Sequence, residues 1–531
     1  MTEIVMSQTP PILHGPSDKE KKYDRQLRLW AASGQAALES ANLLLVNSGG
    51  GTVGVETLKN LVLPGIGRFT IVDEAVVKNV DLGVNFFLDE TCLGKLRSKC
   101  CTELLQELNP DVQGDWFPKQ QEDTVKLDQI LSESPTYTLI MYTMPISPKD
   151  LAVLKEYGQQ HQTPLIAIHS AGFYSYFNIQ LPGTFPIVDT HPEAERTVDL
   201  RLTRPWPELT QFAEEMTKDM DQLDDHEHGH LPYVVLLLHY LEKWKETHNG
   251  QLPTEYKAKL EFREMVAKSA RTNNSEGGEE NFQEAVAAVN RNIKEYKLES
   301  TLAEVFAHEA SDDVDTKSTF WVIARAIKEF YQKHDCLPLP GSLPDMKAQS
   351  SVYVKLQGLY KAKARKDAQE VLEIAESLSG GGNIDSAEVD LFCKNASFVK
   401  LVNATAGDQD LSKIFEEQKA NDSLAEVTMM PLSLFPIYLA LSATTHEPTA
   451  SVEQIKASTY SRLPAAADDM RVSQACEEVA RAAGGELHNI SALTGGMVAQ
   501  EAIKIITKQY IPIDNTCIFD GIASRCQVLR L

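Results

Sequence analysis

Positive charge is what this sequence has too little of. There are 51 Lys and Arg against 75 Asp and Glu, a formal net charge of −24 over 531 residues. Non-specific nucleic-acid binding needs a basic footprint, so that class is excluded. A basic partner, or an acidic chain kept in solution by its own charge, fits the balance better. Cysteine is scarce as well: eight in all, and none in a CxxC pair. That excludes a zinc ribbon and a secreted disulfide scaffold. No run of about 18 or more apolar residues occurs, so no transmembrane helix is predicted. LPYVVLLLHYL (231–241) is too short to span and reads as a buried helix. The opening MTEIVMSQTPPILHG lacks the pattern of a signal peptide, and residues 1–17 read as a disordered leader. A reduced, intracellular chain is expected, with neither nucleic acid nor membrane among its partners.

What is present is enough for sizeable cores. Hydrophobic residues make up 43% of the chain, and its length suits two to four domains at roughly 150 residues each. From Lys19 to about Ala41 the spacing predicts a helix with Tyr23, Leu27, Trp30 and Gly34 on one face. ANLLLVNS, RFTIVDE, YTLIMYT and TPLIAIHSAG read as strands. They alternate with helical segments at 55–63, 97–110 and 149–161, the pattern of a parallel α/β sheet. From about residue 200 to 480 the chain is mostly amphipathic helix, with solvated loops at SARTNNSEGGEEN (269–281) and SGGGN (379–383). The α/β style then returns in GGEL, the apolar helix LTGGMVAQEAIKIITKQY and the strand NTCIFDG.

Gly49, Gly51 and Gly54 form a G-x-G-x-x-G turn between a strand and a helix, and Asp73 ends the next strand. That spacing suits a dinucleotide site: a tight turn, close approach of phosphate to backbone, a helix N-terminus for the anion and an acid for the ribose. An NAD-type dehydrogenase and an adenylate-forming site both remain open, beside a turn kept only for backbone geometry.

YDRQLRLW (23–30) raises a different question. On a helix, Asp24 pairs with Arg28 at i,i+4, worth a few tenths of a kcal/mol. Arg25 has only Lys21, Lys22, Arg28 and Leu29 at that spacing. It is either part of a solvated basic face or a guanidinium fork aimed at phosphate oxygens. DDHEHGH (224–230) carries three histidines in a polar, Gly-containing stretch that reads as a solvated loop rather than a metal site. The acidic stretch ASDDVD (310–315) reads as solvated. Cys336, in HDCLPLPG, is the one cysteine placed like a nucleophile, yet nothing near it in sequence would activate the thiol.

YDRQLRLW, GQAALESANLLLV, KNLVLPGIGRFTIVD, NFFLDETCLGKLRSKCCTELLQELNPDV and TGGMVAQEAIKIITKQYIPIDN, in that order, resemble the adenylation fold of ubiquitin-activating-type enzymes. HPEAERTVDLRLTRPWPEL (191–209) and GSLPDMKAQSSVYVKLQGLYKAKARKDAQEV (341–371) narrow the resemblance. They are similar to the regulatory, amyloid-precursor-binding-type subunits of heterodimeric neddylation-activating enzymes. The fold implied is α/β: a Rossmann-like, ThiF-type adenylation domain, discontinuous over 18–180 and 484–531. A mainly helical insertion lacking the thioester cysteine would fill 181–483.

The departures from that family's catalytic halves carry as much information. Ala75 stands where a second acid is usual, Val84-Asn85 where an Arg-Gln is, and Arg97 where the phosphate lysine is. Met144-Pro145 falls where a Mg²⁺-binding Asp belongs, and neither residue can hold a metal. The resemblance therefore implies a non-catalytic half, inactive alone, in which Gly49, Gly51, Gly54 and Asp73 are a degenerate nucleotide site. ATP and Mg²⁺ would sit on a catalytic partner subunit. Arg25 would reach that ATP as an arginine finger in trans. The ubiquitin-like modifier and a cognate conjugating enzyme complete the implied partners, in cytoplasm and nucleus. Two alternatives stand beside it: an autonomous Rossmann oxidoreductase using the glycine turn, and a pure adaptor.

Overall fold

Leu43, Leu44 and Leu45 are all fully buried, with no apolar-polar alternation. Leu43 and Leu45 join one hydrophobic cluster and Leu44 another, so this strand is covered on both faces. That is the signature of a parallel sheet between helix layers. A computed structural model of the chain describes residues 15–123, 125–272, 278–312, 319–380, 384–402 and 410–531. In it β1 (Asn42–Val46), β2 (Arg68–Val72), β3 (Gln113–Phe117), β4 (Leu139–Thr143) and β5 (Leu165–Ala171) run parallel in the order β3-β2-β1-β4-β5. The order reverses between β1 and β4, which opens a crevice at their carboxyl ends.

The sheet is not wholly parallel, as the strand-helix alternation suggests. It continues antiparallel through β6 (Tyr174–Gln180), and later through β9 (Thr516–Asp520) and β10 (Arg525–Leu529). The turn into β6 is made by Gly172 and Phe173, and Gly172 takes φ +58°, a conformation few other residues tolerate. β7 (Phe185–Val188) and β8 (Val399–Val402) form a separate two-stranded sheet.

The expected first helix divides at Tyr23 into α1 (Asp18–Lys22) and α2 (Asp24–Ser40). Ser17 caps α1 through its hydroxyl, which accepts from the Glu20 amide. Tyr23 turns inward at the junction, where the Asn109 amide donates to its hydroxyl at 3.0 Å. The glycine turn leads into α3 (Thr52–Val62), and α4 (Arg97–Leu108) follows β2. The expected leader at 1–17 falls, up to residue 14, outside the described residues. So do 273–277 and 381–383 of the expected loops and 313–315 of the expected acidic stretch.

The chain forms two compact units. One comprises residues 1–187 and 402–531, the other Val188–Leu401. The second is mainly helical and contains the 29-residue α5 (Ser350–Leu378). It is shorter than the insertion expected over 181–483. The helices between 411 and 482 belong with the sheet instead: Phe435, Leu439 and Val472 pack on Tyr176 of β6 and Ile518 of β9. Periodicity gives them the same amphipathic pattern as the insertion and cannot say which core they cover. The expected histidine loop is partly a short helix, Asp225–His228, and His228 is buried with Glu279 at 2.6 Å from its Nδ1. Glu279 and Asn281, at the end of the second expected loop, are also buried. Among the described residues no helix is long and apolar enough to cross a membrane.

The return helix α6 (His488–Thr507) packs on α3 at close range. A Cβ on Gly495 would lie 2.8 Å from the Thr57 backbone nitrogen, whereas one on Gly496 would meet nothing within 4 Å. Gly495→Ala is therefore expected to lose about 1–3 kcal/mol through overpacking. Gly496→Ala is expected to gain up to about 1 kcal/mol from helix propensity. Denaturant unfolding of the two variants checks this, and equal effects would show that the α3–α6 contact is loose.

Candidate functional site

The crevice at the ends of β1, β2 and β4 is a cleft of about 320 Å³, lined by Ser48, Gly49, Asp73, Glu74, Arg97, Pro145 and Asp150 among others. The glycine turn forms its floor. Gly49 and Gly51 both have positive φ, and Gly51 is the left-handed N-cap of α3. A Cβ at Gly49 would lie 2.9 Å from the Met144 carbonyl oxygen, so the turn is pressed against the Met144-Pro145 segment. At Gly51 the nearest atoms would be Asn47 Nδ2 at 2.5 Å and Arg97 Nη2 at 2.9 Å. Gly54 faces the Asn47 side chain. Of the four residues singled out in the sequence, Gly49 and Asp73 line the crevice, whereas Gly51 and Gly54 pack against Asn47.

The polar groups around the turn are bonded within the chain. Asp73 is buried and takes the Arg97 Nε at 2.7 Å and Nη2 at 3.2 Å. It also accepts from Asn47 Nδ2 at 2.9 Å and from the Ala75 amide at 3.0 Å. Both carboxylate oxygens are engaged, which leaves little for a ribose hydroxyl. Arg97 extends its Nη1 to the carbonyl oxygens of Gly49 and Gly50, at 3.0 and 2.9 Å, and to Asp81 at 3.5 Å. Burial opposes the guanidinium charge, but Asp73 and Asp81 outweigh it and hold the group above its ordinary value.

The N-terminus of α3, where a bound phosphate would sit, is taken by a carboxylate. Glu486 Oε2 accepts from the Val53 amide at 2.8 Å and from Ser491 Oγ at 2.6 Å. A Cβ on Gly50 would lie 2.9 Å from Glu486 Oε1, so the turn closes directly over this side chain. Unpaired amides and the helix dipole favour an anion here, and Glu486 supplies it. Burial pushes its carboxyl above the ordinary value, against the pull of Ser491, the Val53 amide and the Arg97 charge.

This arrangement does not fit a nucleoside triphosphate with a divalent metal. The anion site already holds a carboxylate, Asp73, Glu74 and Asp150 line the cleft, and its single lining cation is neutralised. Glu486 and Asp81 are the participants that sequence reasoning missed. Glu486 lies two residues before α6, and an acid just ahead of the returning helix is the only signal of it.

Arg25 lies elsewhere, in the first turn of α2, exposed, and makes no hydrogen bond or ion pair among the described residues. Its neighbours are occupied: Lys21 with Asp18 at 3.1 Å, Lys22 with Asp111 at 2.7 Å, and Arg28 with Asp24 at 2.9 Å. Cys336 is half-buried in the helical unit. Burial pushes its thiol up despite nearby Arg201, the reverse of what a nucleophile needs.

The family model described as "ThiF family" matches residues 23–531. The chain is 34% identical to the NEDD8-activating enzyme E1 regulatory subunit of Xenopus laevis, over 97% of this chain and 99% of that one. The Drosophila melanogaster protein of that name is 35% identical, over 99% and 100%. The NEDD8-activating enzyme E1 regulatory subunit AXR1 of Arabidopsis thaliana is 31% identical, over 97% of each. Among solved structures, SeMet PaaA is similar over 33% of this chain and 58% of that chain, at 15% identity and a TM-score of 0.28.

Two measurements test the self-filled site. Arg97→Ala leaves Asp73 buried without its cation and is expected to destabilise by about 3–5 kcal/mol, read by urea unfolding. Glu486→Gln tests the desolvated carboxylate. A carboxyl raised above its ordinary value of 4.5 stabilises the fold below that value and loses the contribution as pH rises through the folded value. The Gln variant is therefore expected to gain stability relative to wild type as pH rises from about 4.5 towards neutral. A difference that is flat with pH would mean that Glu486 is not desolvated.

Proposed function

The chain belongs to the ThiF family, and from that premise we propose that it is the regulatory, non-catalytic half of a heterodimeric activating enzyme for NEDD8, the modifier named in its relatives. The observation that carries this reading is the self-filled crevice. Glu486 occupies the anion site of α3, and Arg97 is bound to Asp73 and to the turn carbonyls. A chain whose own carboxylate and guanidinium take the places of phosphate and its counter-charge leaves adenylation to its partner. The same contacts count against the oxidoreductase alternative, because Asp73 has no oxygen to offer a ribose.

The catalytic partner then holds ATP and Mg²⁺, adenylates the C-terminus of the modifier and carries the thioester cysteine. A cognate conjugating enzyme receives the modifier. Arg25 is this chain's contribution to the chemistry. A cation in the first turn of a helix opposes the macrodipole, so local stability gives no reason for it. Exposed and unpaired, it suits the role of an arginine finger on phosphates bound by another subunit, where it stabilises the charge that develops in transfer. All eight cysteines are free thiols, which supports a place in cytoplasm and nucleus.

Modifier-dependent ATP–pyrophosphate exchange tests the division of labour. The chain alone is expected to be silent, and the pair with the catalytic subunit active. Arg25→Ala is expected to lower the exchange rate of the assembled pair by on the order of 10³-fold, with Arg28→Ala far milder. Full activity with Arg25→Ala would reduce this chain to an adaptor. Exchange by the chain alone would overturn the non-catalytic reading.

A further inference from the structure

In a chain this acidic, α5 carries an exposed face of one positive sign. Its inward residues, Leu356, Tyr360, Ala368, Val371 and Ala375, belong to the cores of the helical unit. Facing outward are Val354, Lys355, Gly358, Lys361, Arg365 and Lys366, all exposed, and Val354 is 64% exposed. None of the four cations makes an ion pair among the described residues. Lys355 lies over the Phe212 ring at 5.2 Å, and Lys361 donates to Gln357 Oε1 at 3.0 Å. Arg365 and Lys366 have no partner among the described residues.

Local stability does not explain this face. Lys361 and Arg365 are like charges at i,i+4, which weakens a helix. Lys363, between them in sequence, turns inward to the buried Asp367 and offers no relief. Gly358 is unfavourable inside a helix. A Cβ there would meet nothing within 4 Å, and its φ is not positive, so neither packing nor backbone demands a glycine. The sign of the outward face then changes: Glu373 and Glu376 are its exposed charges further along.

We infer that the face from Val354 to Lys366 is a docking site for an acidic helical segment of a protein partner, seated along Gly358 with its carboxylates against Lys361, Arg365 and Lys366. Charge complementarity selects this occupant. Unpaired cations call for carboxylates or phosphates, but a uniformly charged polyphosphate strand following the helix would run onto Glu373 and Glu376, which disfavours nucleic acid. The acids at Glu373 and Glu376 limit the negative stretch of the partner to the part that faces residues 354–366. The flat position at Gly358 lets a helix approach closely. The inference does not rest on the proposed enzymatic role.

Fluorescence anisotropy on the full chain tests it, with a labelled, Glu-rich helical peptide as probe and a labelled single-stranded oligonucleotide of equal charge as its competitor class. Saturable peptide binding that weakens with added salt is expected. Lys361→Glu, Arg365→Glu and Lys366→Glu combined are expected to weaken it at least tenfold, while the thermal midpoint stays within a few degrees of wild type. The Gln triple variant replaces the Glu variant if charge reversal disturbs folding, and the same loss is expected. Absence of saturable peptide binding by wild type overturns the inference. So does equal binding by the folded variants, or tighter binding of the oligonucleotide than of the peptide.

Discussion

The contact between Glu486 and the N-terminus of α3 joins parts of the chain 433 residues apart, and much of the first unit follows from it. A buried carboxylate is costly unless hydrogen-bonded, and here the Val53 amide and the Ser491 hydroxyl meet one oxygen. The bond fixes the start of α6 against the start of α3. Gly495 then lets the two helices close to near backbone contact. At its far end α6 leads into Gln509, whose Nε2 donates to the Trp30 carbonyl of α2 at 3.1 Å. Glycine at position 34 leaves room for that amide, because a Cβ there would lie 3.1 Å from it. The helix that carries Arg25 is thus positioned through α6 and α3 by a carboxylate in the crevice.

The polar groups around the glycine turn need partners whatever the crevice holds. An empty anion site would leave amides at a buried helix end without acceptors, and Asp73 without a cation would be an uncompensated buried charge. Asp73, Arg97 and the turn carbonyls are therefore coupled rather than independent. Arg97 in place of a lysine reaches two carboxylates and two carbonyls at once, which the planar guanidinium can do and an ammonium cannot. Glu486 separately satisfies the amide at the start of α3. Strand geometry, glycine turn and helix N-terminus survive as scaffold.

Much of this was legible in the sequence. The apolar runs at 42–46, 139–143 and 165–171 marked strands covered on both faces, and G-x-G-x-x-G with Asp73 marked the crevice. Arg97 and Met144-Pro145, singled out in the sequence, do lie at this crevice: Arg97 and Pro145 line it and the Met144 carbonyl presses on Gly49. What could not be read depended on long-range pairing. Nothing local distinguishes Glu486 from any other acid ahead of a helix, because its partner amide is set by the fold. The antiparallel strands from β6 onward were hidden for the same reason, since register is a property of two segments. The helices at 411–482 have an insertion's periodicity but cover Tyr176 and Ile518 of the sheet. His228 was misjudged because its neighbours are polar, whereas its burial comes from Glu279 and Phe282 some fifty residues on.

Arg97 and Arg25 place one functional group in opposite surroundings. Arg97 has its charge cancelled by Asp73 and Asp81 and its donors held by the glycine turn, so moving it would strand two buried carboxylates. Arg25 stands at the start of α2 beside cations that are already paired: Lys22, at the end of α1, is tied to Asp111, and Arg28 to Asp24. These pairings do more than leave Arg25 unmatched. Lys22 and Tyr23 both contact Asn109, beyond the end of α4, and so anchor the first turn of α2 to the sheet layer. The finger role proposed for Arg25 would need a fixed base, because orientation is most of what such a group supplies. The crevice contacts supply that base: Glu486 is bonded to the start of α3, α6 packs on α3, and Gln509 beyond α6 is bonded to the helix from which Arg25 projects.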